Sequence, residues 1–270
     1  MSRYAVIGKP VNHSKSPRIH SLFAKETEQE MAYEAIEADE ESFDSFVTDF
    51  FAGGGSGLNI TVPYKEKAFA LAEQTSDRAG LARAVNTLYV DDQGRICGDN
   101  TDGAGLVNDI KTNHGFEIRG GKILILGAGG AVRGALASLI AEQPEAITIA
   151  NRTVSRAAQI QQEFSDVFDI SVSSYEELGD MPFDLIINGT SLSLINELPA
   201  VAASIIGRDS CCYDMMYADT DTVFVSWSKQ HGAALALDGL GMLIEQAAES
   251  FYIWRGIRPN TQSVIGRIRS

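Results

Sequence analysis

The chain is short of positive charge: 22 basic residues stand against 36 acidic ones, a formal net charge of −14. That balance disfavours nucleic acid and anionic membrane as partners, because both need basic patches. Cysteine is scarce too, with only Cys97, Cys211 and Cys212, and their spacing is not that of metal ligands. Cys211 and Cys212 are neighbours on a strand and point to opposite faces. Neither a disulfide framework nor a bound metal is expected, and reduced thiols in a cytoplasmic protein are. No apolar run approaches the roughly 18 residues of a membrane span. The opening "MSRYAVIGKP" reads as an immediate strand, without a basic-then-apolar leader.

What remains is ordinary globular composition, 44% apolar and 21% charged over 270 residues. Single cores stop growing at roughly 250–300 residues, so two domains are expected. The runs "YAVIG", "GLNITV", "AVNTLYV" and "RICG" alternate with the helical patterns "RIHSLFAKE" and "SFDSFVTDFF", an α/β rhythm over the first hundred residues. A helix is expected over "TDGAGLVNDIKTNHG", stopped by Gly115. Then "KILILGAGGAVRGALASLIAE" runs from apolar strand through a glycine turn into a helix. "AITIA", "TVSRAAQIQQEF", "FDLIIN", "CCYDMM", "TVFVSWSKQHG" and "AALAL" continue the alternation, which predicts a doubly wound, mostly parallel sheet. A last helix, "LGMLIEQAAESFYIWRG", ends at Gly256 and Pro259. Its stripe of Leu240, Leu243, Ile244, Ala247, Phe251 and Trp254 requires a packing partner.

The turn "GAGGAVRG" places Gly127, Gly129 and Gly130 between strand and helix, where small residues let a pyrophosphate reach the helix amides. A glycine turn is often only a tight connection. Its place inside repeated βαβ units favours dinucleotide binding. Asn151 ends the next strand, where NAD-binding proteins usually carry a carboxylate for the ribose. Instead "NRTVSR" offers Thr153 as an N-cap with Arg152 and Arg156 around the helix start. Either arginine alone could be a solvated surface residue. Together they suit a ribose 2′-phosphate, and so NADP over NAD.

In the first domain, Ser16 is expected as an N-cap followed by Pro17, which leaves Ser14 unexplained; two hydroxyls at a helix start could hold a carboxylate. Asn59 and Thr61 share one face of "GLNITV", which is expected to open into a cleft, and Asn86 is another amide in an apolar strand. Lys65 heads a helix, where the dipole disfavours a cation, whereas Asp102 in a first turn is comfortable and Thr101 can cap it.

The motifs "NHSKSP", "NITVPYKE", "AVNT", "GDNTDG", "GAGGA", "NRT", "YDMMY" and "DGLGMLIEQAA" occur in an order and spacing that resembles the shikimate dehydrogenase family over nearly the whole chain. The resemblance implies two α/β domains. An N-terminal substrate and catalytic domain (1–101 with 238–270) would be completed by the returning C-terminal helix, and a Rossmann-like doubly wound domain (102–237) would bind NADP. It implies reversible, NADP-dependent interconversion of 3-dehydroshikimate and shikimate. Ser14 and Ser16 would receive the substrate carboxylate with Tyr217 nearby. Asn59, Thr61, Lys65, Asn86, Asp102 and Gln246 would meet the ring hydroxyls. Gly127, Ala128, Gly129, Gly130 and Ala131 would form the phosphate turn. Asn151, Arg152, Thr153 and Arg156 would read the adenosine phosphate, and Thr190, Met215 and Gly239 would lie near the nicotinamide.

Lys65 and Asp102 are expected to meet across an interdomain cleft, with Lys65 as acid/base and Asp102 orienting it, or with the two exchanging the proton as a coupled pair. A paralogue that oxidises quinate or prefers NAD, and a catalytically silent nucleotide-binding regulator, are the alternatives. A homodimer is compatible with this reading. The chain departs from the family's pattern at "NGTSLSLINELP", where a glycine is common, and at Val223, where proline is frequent.

Overall fold

A computed structural model of the chain describes residues 1–269. The chain folds as two compact units. One is Met1–Gly105 together with the segment from Leu243 onward, and the other is Leu106–Met242.

The first unit runs through β1 (Ser2–Gly8), α1 (Ser16–Glu26), β2 (Met31–Glu37), α2 (Phe43–Ala52), β3 (Gly55–Ile60) and α3 (Lys65–Leu71). It continues with β4 (Gln74–Thr75), α4 (Asp77–Ala82), β5 (Thr87–Val90), β6 (Ile96–Asp99) and the first turn of α5 (Asp102–Asn108). Its six-stranded sheet has the order β2-β1-β3-β5-β6-β4. β1 pairs in parallel with β2 and β3, whereas β5 runs antiparallel to both β3 and β6. Apolar residues of α2, α3 and the strands bury one core, with Phe43 and Tyr64 stacked at 4.7 Å. Each such fully buried aromatic contributes on the order of 1.5–3 kcal/mol of transfer free energy.

In the second unit, a π-helical turn (Asp109–Asn113) follows α5 and ends at Gly115, which has a positive φ of 67°. There follow β7 (Lys122–Leu126), α6 (Gly130–Ala141), β8 (Ala146–Ala150), α7 (Val154–Phe164) and β9 (Ile170–Ser173). β10 (Phe183–Asn188), β11 (Ile206–Asp214), α8 (Val223–Gln230) and β12 (Leu235–Leu237) complete the sheet. The strand order is β12-β11-β10-β7-β8-β9, and every neighbouring pair is parallel. This is the doubly wound order whose switch point falls between β7 and β10. The strands are apolar on both faces because helices cover both, as "KILIL" and "FDLIIN" require.

The chain ends with α9 (Leu240–Arg255) and α10 (Thr261–Arg269). Gly256, at a φ of 69°, stops α9 as expected. In the first unit the α9 stripe finds its partner: Ile244, Ala247 and Phe251 are fully buried, and the Trp254 indole packs on Tyr4 and donates to the Leu88 carbonyl at 3.2 Å. Among the described residues no helix is long and apolar enough to cross a membrane.

Candidate active site

The "TVPYK" turn is held from three sides. The Tyr64 ring is buried in the core and its hydroxyl donates to the Ala38 carbonyl at 2.6 Å. The Tyr64 N–H closes the turn on the Thr61 carbonyl, and the Val85 N–H donates to the Lys65 carbonyl at 2.9 Å. Lys65 therefore heads α3 with its backbone fixed. Its Nζ donates to Asp102 Oδ2 at 2.5 Å, with side-chain exposures of 25% and 11%. Asp102 heads α5, where a carboxylate is favoured, and so offsets the poor position of the ammonium. Both residues lie in the first unit, because the units divide after Gly105 rather than at 101/102. The meeting of one residue from each domain expected above is corrected accordingly.

Behind this pair runs a polar seam. Asn86 Nδ2 donates to Asp102 Oδ1 at 2.8 Å and to Gln246 Oε1 at 3.3 Å. Asn86 Oδ1 accepts from the Thr101 N–H and the Thr87 hydroxyl, both at 2.9 Å. Thr87 and Ser250 hydroxyls meet at 2.8 Å, and Asn59 Nδ2 donates to Ser250 Oγ at 3.0 Å. Asn59 Oδ1 accepts from the Tyr33 hydroxyl at 2.7 Å. Asn59 is thus buried under α9, with its amide spent on protein partners, and does not open into a cleft. The polar face of β3 is matched by polar residues of a helix, an arrangement invisible from β3 alone. Thr61 is half-buried, and its methyl occupies the space that a side chain at Gly8 would need.

Two expected caps are formed differently. α1 starts at Ser16 itself, after Lys15 in the cap position, and the Ser16 N–H donates to Ser14 Oγ at 3.2 Å. Ser14 thereby gains the explanation it lacked. Thr101 spends its hydroxyl on the seam, and the Asp102 N–H is taken by Asn100 Oδ1 at 3.2 Å.

Tyr33, Thr87 and Ser250 were missed in the sequence. Ser250, one helical turn after Gln246 and so on the same face of α9, was the available signal. His20 was also missed. It is fully buried and stacks on Tyr33 at 4.2 Å, and among the described residues neither of its ring nitrogens completes a hydrogen bond. Burial pushes the imidazole down to about 3, opposed only in part by the Asn59 side chain.

The second unit carries a cleft of about 290 Å³ at the carboxyl ends of its strands. Gly127, Ala128 and Gly129 line one side, Asn151, Arg152, Arg156 and Tyr175 another, and Gly189, Thr190, Ser191 and Leu192 a third. Gly127 has a φ of 105°, a conformation that favours glycine. Nothing lies within 4 Å of where a Cβ would stand on Gly129 or Gly130, so their bare backbone opens α6 to free space. That suits a pyrophosphate on the amides of a 12-residue helix. Ala131 follows in the first turn. Thr153 occupies the cap position of α7 without a side-chain cap bond; Asn151 Nδ2 instead ties the loop by donating to the Thr153 carbonyl at 2.8 Å.

Thr190 is placed by Asn188, whose Oδ1 accepts from the Thr190 N–H at 3.1 Å and from its hydroxyl at 2.7 Å. Asn188 in turn donates to Asp214, which also accepts from Ser193 Oγ at 2.6 Å and Thr222 Oγ1 at 2.7 Å. Burial pushes the Asp214 carboxyl up despite these donors. The unusual loop after Thr190 is therefore an anchored 3₁₀ turn, Leu192–Ile195. Helix α8 starts without the proline because the Thr222 hydroxyl accepts from the Val225 N–H at 3.2 Å. Met215 and Gly239 are brought together: a Cβ on Gly239 would stand 2.3 Å from the Met215 carbonyl oxygen. Tyr217 belongs to this second unit, and burial raises its phenol.

A doubly wound sheet with a glycine-lined cleft at its switch point defines a dinucleotide-binding α/β protein, and the first unit adds a paired lysine and carboxylate. Three family models match: the shikimate dehydrogenase substrate binding domain over residues 6–88, shikimate / quinate 5-dehydrogenase over 110–196, and the shikimate 5'-dehydrogenase C-terminal domain over 239–269. The chain belongs to the shikimate dehydrogenase family. The shikimate dehydrogenase (NADP(+)) of Aeromonas hydrophila is 55% identical over 100% of this chain and 98% of that protein. An Ael1 enzyme from Pseudomonas putida superposes with a TM-score of 0.93 at 44% identity, covering 99% of this chain and 98% of that one. Shikimate 5-dehydrogenase from Thermus thermophilus, in complex with NADP(H) and shikimate, gives 0.87 at 30% identity over 100% of both chains.

Proposed function

We propose that this protein is an NADP-dependent shikimate dehydrogenase that interconverts 3-dehydroshikimate and shikimate on the way to chorismate and the aromatic amino acids. The observation that carries the reading is the largely buried Lys65–Asp102 pair at 2.5 Å, with Asn86 fixing the far carboxylate oxygen. When bound, NADP supplies the hydride acceptor or, reduced, the donor. What the chain must do is move a proton at the substrate oxygen as it passes between alcohol and carbonyl.

Lys65 Nζ holds that proton, and Asp102 orients the ammonium or exchanges the proton with it as a coupled pair. Asn86 and Gln246 share a hydrogen bond in the seam and, with Thr61, hold ring hydroxyls; Asn59 acts through the seam behind them. Ser14 and Ser16, at the start of α1, take the carboxylate. The donors of the glycine turn and the guanidinium groups of Arg152 and Arg156 suit the diphosphate and the 2′-phosphate, and Thr190, Met215 and Gly239 flank the nicotinamide end. The three thiols are free, and the chain is strongly acidic. Both features fit a reaction in the cytoplasm with a small-molecule substrate.

The test is initial rates with shikimate and quinate, each with NADP and NAD, followed by nicotinamide absorbance. Fast reduction of NADP by shikimate is expected. Quinate or NAD preference would move the protein to the paralogous activity, and tight NADP binding without turnover of either substrate would make it a nucleotide-binding regulator.

A further inference from the structure

β9 is the outer neighbour of β8, in parallel register with Ala150 opposite Ser173, and the Asn151 N–H donates to the Ser173 carbonyl at 3.2 Å. The loops that follow these two strands therefore leave the sheet side by side, one carrying Asn151 and Arg152, the other Tyr175. The second loop is pinned: Ser173 Oγ donates to the Ser174 carbonyl at 2.8 Å, and Ser174 Oγ to Glu177 Oε2 at 3.0 Å. The Tyr175 ring packs on the apolar core of its unit while lining the same cleft as Arg152 and Arg156.

Burial raises the phenol, with the Arg152 charge and backbone N–H opposing the shift, so the hydroxyl keeps its proton at neutral pH. A phenol oxygen can accept from that backbone amide and still donate its single proton. We propose that Tyr175 is a specificity-determining residue whose hydroxyl donates to the 2′-phosphate of NADP beside Arg152 and Arg156. The inference rests on the reading that those arginines hold the phosphate. A neutral donor adds direction to a site where the guanidinium groups supply charge, and bonds to an ionised acceptor are the stronger kind. NAD offers only a hydroxyl at that position, so the contribution is selective.

The experiment uses the full chain with Tyr175→Phe, which keeps the ring and its packing. KM is measured for NADP and for NAD at saturating shikimate, together with inhibition by adenosine 2′,5′-bisphosphate and by ADP. KM for NADP is expected to rise roughly tenfold while that for NAD shifts less than about twofold, and only the bisphosphate loses potency as an inhibitor. Equal weakening of both cofactors, or no change in either, overturns the proposal. Arg156→Ala is measured alongside. If it erodes the preference for NADP and Tyr175→Phe does not, the tyrosine alone is wrong; if it leaves the preference intact, the arginine reading fails and the tyrosine proposal with it.

Discussion

Acidification should destabilise the first unit through one residue, His20. The ring is fully buried among Tyr33, Phe23, Phe251 and Trp254, and its folded value is about 3 against 6.5 for an ordinary imidazole. Between those values the unfolded chain binds a proton that the folded chain refuses, so stability must fall as pH falls. Each unit of difference is worth about 1.4 kcal/mol, which sets the full loss near 5 kcal/mol. Between pH 7 and pH 5 the loss is about 2 kcal/mol, and above pH 7 His20 contributes almost none. The assay is urea unfolding at several pH values, read by the fluorescence of Trp254, whose ring lies 5.4 Å from that of His20. A Trp227→Phe background removes the only other tryptophan. His20→Phe keeps the stack on Tyr33 but cannot titrate. Comparing each protein's own slope with pH cancels any constant cost of the substitution. Slopes that agree within about 0.5 kcal/mol over this window would refute the argument, because the linkage is then absent.

Two further outcomes follow from ion pairs in the same unit. Lys65→Ala should lower turnover at saturating shikimate by about 10²–10⁴-fold, the usual contribution of a placed acid/base, and near-wild-type turnover would remove Lys65 from that role. Arg78 grips Asp99 through Nε at 2.7 Å and Nη2 at 2.8 Å. Burial pushes the Asp99 carboxyl up, but Arg78, Ser76 and the Asn100 N–H outweigh it and the net shift is downward. Arg78→Ala should therefore cost about 3 kcal/mol in urea unfolding at pH 7. The cost should shrink as pH falls through the folded Asp99 value and the carboxylate protonates. A loss below about 1 kcal/mol, or one independent of pH, would contradict it.

The parts of the fold legible in the sequence were those written in neighbouring residues. The apolar strands, the glycine turn before α6, the arginines around α7 and the stop at Gly256 all depend on spacing within one or two turns of chain. Lys65 stood out because its helix position was wrong for its charge. The seam was not legible for the opposite reason. Asn59 and Ser250 are 191 positions apart, and Thr87 and Ser250 are 163. Each polar side chain looks anomalous until its partner is known, and periodicity carries no information about partners at that distance. The same blindness gave Asn59 to a cleft when a helix covers it, and hid His20 in a motif dominated by a helix start. Tyr175 was passed over because only the pairing of β8 with β9 makes it a neighbour of Arg152.

The first unit is interrupted in the chain: it stops at Gly105 and resumes at Leu243, with the whole second unit threaded in between. During synthesis the second unit is contiguous and can fold as soon as it emerges. The first cannot be completed then, because Ser250, which meets Asn59 and Thr87, and Gln246, which accepts from Asn86, lie on α9, beyond the second unit. A ribosome that halts before α9 would release a chain with a finished nucleotide-binding half. Its other half would hold the Lys65–Asp102 pair over buried amides and hydroxyls short of partners, a state that quality-control proteases are suited to find.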